Sequence, residues 1–240
     1  VLYTGNGGTK AITGAGFEPD LVWTKSRNAV NRHQLFDSVR GATYAIESDT
    51  TFSESYEPTA LTAFDTDGWC WKAGGAAVTI AANTVGNTIA SDVSANVNAG
   101  FSIVKYTGNS TIPSTVAHGL DSAPELIMVK VLNQSYPWNV FSASIGNTKY
   151  LKLNETSAEA TQISRWNNTS PTSAVFTIGN DGDVNGNGLN YIAYAFHSVA
   201  GYSKMGSYVG NGSATGPIVT LGFEPAWIMI KRTDATANWR

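Results

Sequence analysis

The chain has little charge. Its 15 lysines and arginines and 18 aspartates and glutamates make up 14% of 240 residues, against roughly 25% for an average globular chain. The net charge is −3 and the basic residues are dispersed, so no basic stripe is available to neutralise phosphates. Nucleic acid is therefore not an expected partner. Cysteine is nearly absent: Cys70 stands alone between Trp69 and Trp71, cannot close an internal disulfide, and reads as a small buried hydrophobe. Such a chain is compatible with assembly in a reducing compartment even if it later works outside a cell. No apolar run approaches the roughly 20 residues of a membrane helix, and no signal-peptide pattern is found, so no membrane insertion is expected. The three histidines, His33, His118 and His197, are far apart, show no metal-ligand spacing, and accompany no Gly-x-Ser-x-Gly elbow. They read as surface or cap residues.

Thr, Ser, Asn, Gly and Ala take the place of charge. That mixture suits strands and tight turns and poorly suits surface helices. Hydrophobic residues, at 42%, are enough for a packed core. The most telling pattern is repetition. Tyr3-Thr4-Gly5-Asn6 returns as Tyr106-Thr107-Gly108-Asn109 and as Tyr208-Val209-Gly210-Asn211, at intervals of 103 (106 − 3) and 102 (208 − 106) residues. Each copy continues to an apolar strand ending in lysine: Leu21–Lys25, Leu126–Lys130 and Trp227–Lys231. Eight residues beyond each lysine stand His33, Trp138 and Trp239. Farther on, Leu35-Phe36 aligns with Val140-Phe141, and Trp69-Cys70-Trp71 with Tyr194-Ala195-Phe196. A period near 100 residues is that of a small domain, too long for a solenoid unit.

Nothing sustains apolar residues at helical spacing over three turns, and Ser157–Trp166 is the one stretch suited to a short helix. Strands are expected at Val1–Thr4, Leu21–Ser26, Ala76–Ala81, Phe101–Thr107, Glu125–Leu132, Trp138–Ser142, Tyr150–Leu153, Ala174–Ile178, Tyr191–His197, Lys204–Tyr208 and Ala226–Arg232. Many short strands separated by turn clusters predict an all-β fold of tandem β-sandwich modules of jelly-roll or concanavalin-like type. Module one spans residues 1–99, with 73–99 as a hairpin connector, module two spans 100–203, and 204–240 open a third. Module one goes almost directly from Asp67-Gly68 into Trp69, whereas module two has a Gly/Asn-rich stretch, Thr177–Gly188, before its last strand. The chain reads as an internal piece of a longer polypeptide.

Asp181-Gly182-Asp183-Val184-Asn185-Gly186 has the alternating oxygen ligands of a calcium loop, with Asp181, Asp183 and Asn185 as candidate ligands. The position where a closing glutamate would stand is Ile192, so a polar hairpin loop is the competing reading. Gly5–Lys10 lacks the order of a phosphate loop and reads as a hairpin turn. Glu47, Asp49, Glu54, Glu57 and Asp65 could supply the opposed carboxylates of a glycosidase or could form a solvated loop. Flat aromatic rings beside amide side chains suit sugars, and among the loop aromatics Tyr136, Trp138 and Trp166 are the candidate ligand contacts, whereas the strand aromatics read as core.

Taken together, Tyr3–Gly7, Gly16–Trp23, Phe36–Gly41, Trp69–Gly75 and Ala200–Lys204 resemble a repeat family in virion proteins of tailed bacteriophages, and the resemblance covers essentially the whole chain. It implies a non-enzymatic tail-fibre-like structural protein of the virion, working outside the cell, with no cofactor and no catalytic residues. It also implies association with other copies of itself, as a trimer in fibre proteins, and with other virion proteins. Repeated modules would bind a host-surface glycan or receptor weakly and gain by avidity. The alternatives are a capsid-decoration or fibre-shaft protein without a ligand of its own, and a polysaccharide depolymerase.

Overall fold

The computed structural model describes Thr4, residues 15–61 and residues 69–240. It is an all-β protein, the described residues being 31% strand and 5% helix. The strand expected at Val1–Thr4, apart from Thr4, the Gly5–Lys10 turn, Asp65 and Asp67-Gly68 lie outside the described residues.

The first sheet is built from β1 (Leu21–Thr24), β2 (Gln34–Asp37), β3 (Gly41–Glu47), β4 (Ser55–Tyr56) and β5 (Trp69–Trp71), all antiparallel, in the order β4-β3-β2-β1-β5. The rest of the chain supplies β6 (Val78–Ile80), β7 (Ser91–Asn96), β8 (Phe101–Thr107), β9 (Ser114–Ala117), β10 (Leu126–Val131), β11 (Asn139–Ser142), β12 (Lys149–Tyr150), β13 (Ala160–Thr161), β14 (Val175–Ile178) and β15 (Asn190–Phe196). Two single-turn helices, α1 (Ile163–Trp166) and α2 (Gly182–Asn185), fall among them. Six of these strands form an antiparallel sheet in the order β11-β10-β15-β8-β7-β6, and β12-β13 and β14-β9 are separate pairs. The expected hairpin between residues 73 and 99 is β6 and β7, which join the six-stranded sheet by pairing β7 with β8.

The six-stranded sheet is covered on both faces, which is why its central strands read as largely apolar rather than cleanly alternating. Successive side chains of a strand point to opposite faces. In β10, Ile127, Val129 and Val131 enter one core and Met128 the other; in β15, Tyr191, Ala193 and Ala195 part from Ile192, Tyr194 and Phe196 in the same way. The first core is closed by Val116 of β9, Phe176 and Ile178 of β14, Trp166 of α1 and Val184 of α2. The second is closed by Leu21, Trp23, Leu35 and Ile46 of the five-stranded sheet. A smaller cluster, Val22, Phe36, Ala45 and Leu61, lies on the five-stranded sheet's other face, with Cys70 partly buried against it.

Two expected strands are not formed. Lys204–Tyr208 and Ala226–Arg232 carry no strand. Ile230 and Arg240 exchange both backbone hydrogen bonds, at 2.7 and 3.0 Å, but one such pair with no second neighbour is not a ladder. Met205, Met229 and Trp239 from this segment pack against the second core.

Candidate functional site

Trp138 and Trp166 are 0% and 1% exposed. Each indole N–H donates to a backbone carbonyl, that of Trp138 to Glu47 at 2.8 Å and that of Trp166 to Lys149 at 3.0 Å. Both present no ring face to solvent. Tyr136 is half-buried against the first core, its ring so close over Gly182 that an added Cβ there would stand 3.2 Å from the hydroxyl. The structure does not bring the three together as a platform.

The oxygens of the calcium candidate are occupied by protein donors. Asp181 caps α2 by accepting from the Asp183 amide at 3.0 Å, takes Gln162 at 2.8 Å, and pairs with Arg165. Asp183 pairs with the same guanidinium at 2.7 Å and with Asn139 at 3.2 Å. Asn185 donates to the carbonyls of Thr111 and Gly179 and accepts from the Asn109 amide. Burial raises the Asp183 carboxyl, with Arg165 opposing, and Arg165 itself lies 4.8 Å from the Tyr150 ring centroid. The cation of this loop is thus an arginine. Among the described residues no group of three or more His, Cys, Asp or Glu is placed to hold a metal ion.

Three of the carboxylates suited to a glycosidase pair face arginines. Glu47 and Asp49 stand 3.9 and 3.7 Å from Arg32, and Glu54 is 3.0 Å from Arg40. Arg40 and Asp37 form a buried pair, with side chains 1% and 0% exposed. Burial opposes the charge on Arg40, but Asp37, Tyr194 and Glu54 outweigh it and hold the guanidinium ionised.

The histidines were expected at the surface or in caps, and two of them are buried: His118 at 0% and His197 at 8% exposed. Nδ1 of His118 accepts from the Leu120 amide at 3.1 Å, so Nε2 carries the proton and donates to the Thr172 carbonyl at 3.1 Å. Burial lowers its pKa from 6.5 to about 4, with the Thr172 bond opposing and His197 assisting. A histidine depressed in the folded state binds its proton more readily when unfolded. Its contribution is therefore complete above pH 6.5 and is lost as pH falls toward 4, at a cost of roughly 3 kcal/mol. His33 is shifted the same way by burial, and Asp183 acts in the opposite sense. Urea unfolding at pH 7 and pH 4.5 is expected to show this loss, and His118→Gln to flatten it; equal slopes in both proteins would remove His118 as the cause.

A paired exposed aromatic surface lies elsewhere, at the β3–β4 edge. Tyr44 and Tyr56 are directly opposed across the two strands, 38% and 64% exposed, with ring centroids 5.5 Å apart. Phe52, also exposed, carries the Arg32 guanidinium 5.7 Å from its ring centroid. Two outward rings on paired strands form a rigid surface on which an apolar ring face can stack, with little side-chain entropy to lose. The pair escapes a reading of the chain because twelve residues separate Tyr44 from Tyr56 and pairing register alone makes them neighbours. An open recess beside β6–β8 is lined by both polar and apolar side chains, Thr79, Asp92, Lys105 and Thr107 with Ile89 and Tyr106.

No helix of the described residues is long and apolar enough to cross a membrane. No curated protein and no solved structure matches the chain. One family profile matches residues 1–68 and 68–240, and the chain belongs to that family, described as a domain of unknown function (DUF7483).

Proposed function

We propose that the chain is a non-enzymatic, tail-fibre-like structural and adhesion protein of a bacteriophage virion, made of tandem β-sandwich modules of jelly-roll or concanavalin-like type. The observation that carries the modular part is a matched register in two sheets. Leu21 faces Trp71 and Asp37 in the first sheet, as Leu126 faces Phe196 and Ser142 in the second. Tyr44 faces Tyr56 as Lys149 faces Thr161, each equivalent residue lying 105 positions on (126 − 21) except Phe196, which lies 125 beyond Trp71 (196 − 71). Even the flanking carboxylates correspond. Asp20 accepts from the Ala73 amide and Glu125 from that of Ser198.

Adhesion to a host-surface glycan through Tyr44 and Tyr56 follows from their exposure on this rigid edge, and repetition among copies of the chain would raise avidity. Binding to a glycan array is expected to fall about tenfold or more in Tyr44→Ala and Tyr56→Ala, in line with the loss of a stacking anchor. A turnover assay on the same polysaccharide is expected to show no cleavage. Unchanged binding in both variants would end the adhesion reading, and turnover abolished by Glu54→Gln would end the non-enzymatic one.

A purely structural role, as capsid decoration or fibre shaft without a ligand of its own, has one specific observation in its favour. The aromatic residues at the junctions between modules, Trp138 and Trp239, bond to backbone rather than face solvent. Binding to no glycan by the unaltered protein would select that role.

A further inference from the structure

The same joint occurs twice. Lys130 Nζ donates to the Thr51 carbonyl at 3.2 Å, and Lys231 Nζ to that of Thr156 at 3.0 Å. The Trp138 indole donates to Glu47 at 2.8 Å, and the Trp239 indole to Lys152 at 2.9 Å. The Glu54 amide donates to the Leu132 carbonyl at 2.7 Å, and the Glu159 amide to that of Thr233 at 2.8 Å. The residues of the inserted hairpin differ by 101 (231 − 130) in all three bonds, and those of the receiving surface by 105 (152 − 47). Three independent hydrogen bonds at constant offsets describe one interface made twice.

The inserted element is a lysine-clamped hairpin. Lys25, Lys130 and Lys231 each donate to the carbonyl six residues on, that of Asn31, Tyr136 and Ala237. The strand residues just before the lysines pair alike, Thr24 with Gln34, Val129 with Asn139 and Ile230 with Arg240. So residues 222–240, which carry no strand, already hold the hairpin's register.

Two features fix how the copies are related. The joint is heterologous, because each hairpin inserts into the copy before it and not the reverse. The equivalent side chains Trp23, Met128 and Met229 nevertheless share one core, and Trp227, equivalent to Leu21, lies 6.2 Å from Trp23 and 5.3 Å from Trp71. A translation would put opposite faces of successive copies in contact. Equivalent faces meeting in one core require rotation about it.

We propose that this joint is a self-recognition surface of the module, whose partner is the Lys/Trp hairpin of the next copy, and that it arranges the copies rotationally around a common core. One chain thereby makes from its own copies the cyclic arrangement that an oligomer makes from separate chains. The tryptophan is the residue that seats the hairpin. In the first copy its place is held by His33, whose amide donates to Asp49 as that of Trp138 donates to Asn154, so the first hairpin has the fold of the inserted element without its indole.

The proposal rests on the tandem-module reading, and hydrogen exchange on the full chain tests the two apart. The Glu159 and Ala237 amides cross the second joint, to Thr233 and Thr156. In Trp239→Ala their exchange is expected to speed up about tenfold or more, while β15 amides keep their protection and report an intact remainder. Trp239→His, which installs the first copy's residue, is expected to do the same. Unchanged protection in Trp239→Ala, or full protection in Trp239→His, overturns the proposal. The modular reading would fail separately, if the equivalent amides of Glu57 and Gln162, bonded to Thr43 and Thr148, exchanged at unrelated rates in the unaltered protein.

Discussion

Asp37→Ala is expected to cost the fold about 3–5 kcal/mol, the range for removing one member of a buried ion pair. The carboxylate has four donors: the amides of Val39 and Arg40 at 3.1 and 2.9 Å, Arg40 Nε at 2.5 Å and the Tyr194 hydroxyl at 2.7 Å. Truncation leaves the buried guanidinium with Glu54, the carbonyls of Tyr44 and Leu35, and a 3.5 Å contact to Tyr194. Its charge would then be held by one carboxylate that is itself partly in water. The measurement is the urea midpoint of single and double variants. Asp37→Ala/Arg40→Met should be more stable than Asp37→Ala alone, because the second change removes the orphaned charge. A double variant less stable than both singles would mean that the pair is not the unit of stability. Since Tyr194 comes from β15 and Asp37 from β2, this network also ties the five-stranded sheet to the six-stranded one. The residues 105 positions on (142 − 37) are Ser142 and Ile145, so this charged pair has no counterpart there.

What could be read from the chain divides along physical lines. Leu126–Val131, Phe101–Thr107 and Val175–Ile178 announce themselves because strands covered on both faces, or packed deep in a core, are mostly apolar. β2 and β3 do not. Gln34–Asp37 is half polar, Gly41–Glu47 opens on glycine, and they are held by pairing, β2 with β1 and β3 with β2, rather than by composition. α2 was hidden by its own chemistry: alternating Asp, Gly and Asn suit a metal loop, a hairpin and a helix N-cap alike, and Arg165 decides among them from 16 residues away. Burial of His118 is invisible for a similar reason, since its partners Thr172 and Leu120 carry no signal beyond a carbonyl and an amide. The tryptophan eight residues after the shared lysine was legible as a position but not as a role. Alignment sets Trp138 and Trp239 beside each other and apart from His33; which carbonyl each indole reaches, that of Glu47 or of Lys152, is set by tertiary packing.

Trp138→Ala is expected to destabilise the whole protein by about 3–5 kcal/mol, the usual cost of emptying a buried aromatic site. The side chain is fully buried, lies 6.2 Å from Tyr194 with the rings 25° apart, and sits in the core between the two large sheets. Tyr194 is the residue that reaches Asp37, so the cavity would also loosen a donor to the buried carboxylate, and the two substitutions should not be additive. Trp138→Phe separates packing from hydrogen bonding. It keeps a ring in the core and strands the Glu47 carbonyl, a loss of about 1–3 kcal/mol for an unsatisfied buried group. Thermal and urea unfolding of both variants, beside Trp239→Ala, give the decisive comparison. Trp138 is held between two sheets that each depend on it, whereas Trp239 closes a joint whose inserted hairpin carries no further strand. The first change should therefore lower the midpoint of the entire transition, and the second should leave that midpoint nearly unchanged while opening residues 222–240. Equal effects of the two would mean that the joint is not a separable unit. A global loss from Trp239→Ala would make the third hairpin part of the folding core rather than a docked copy.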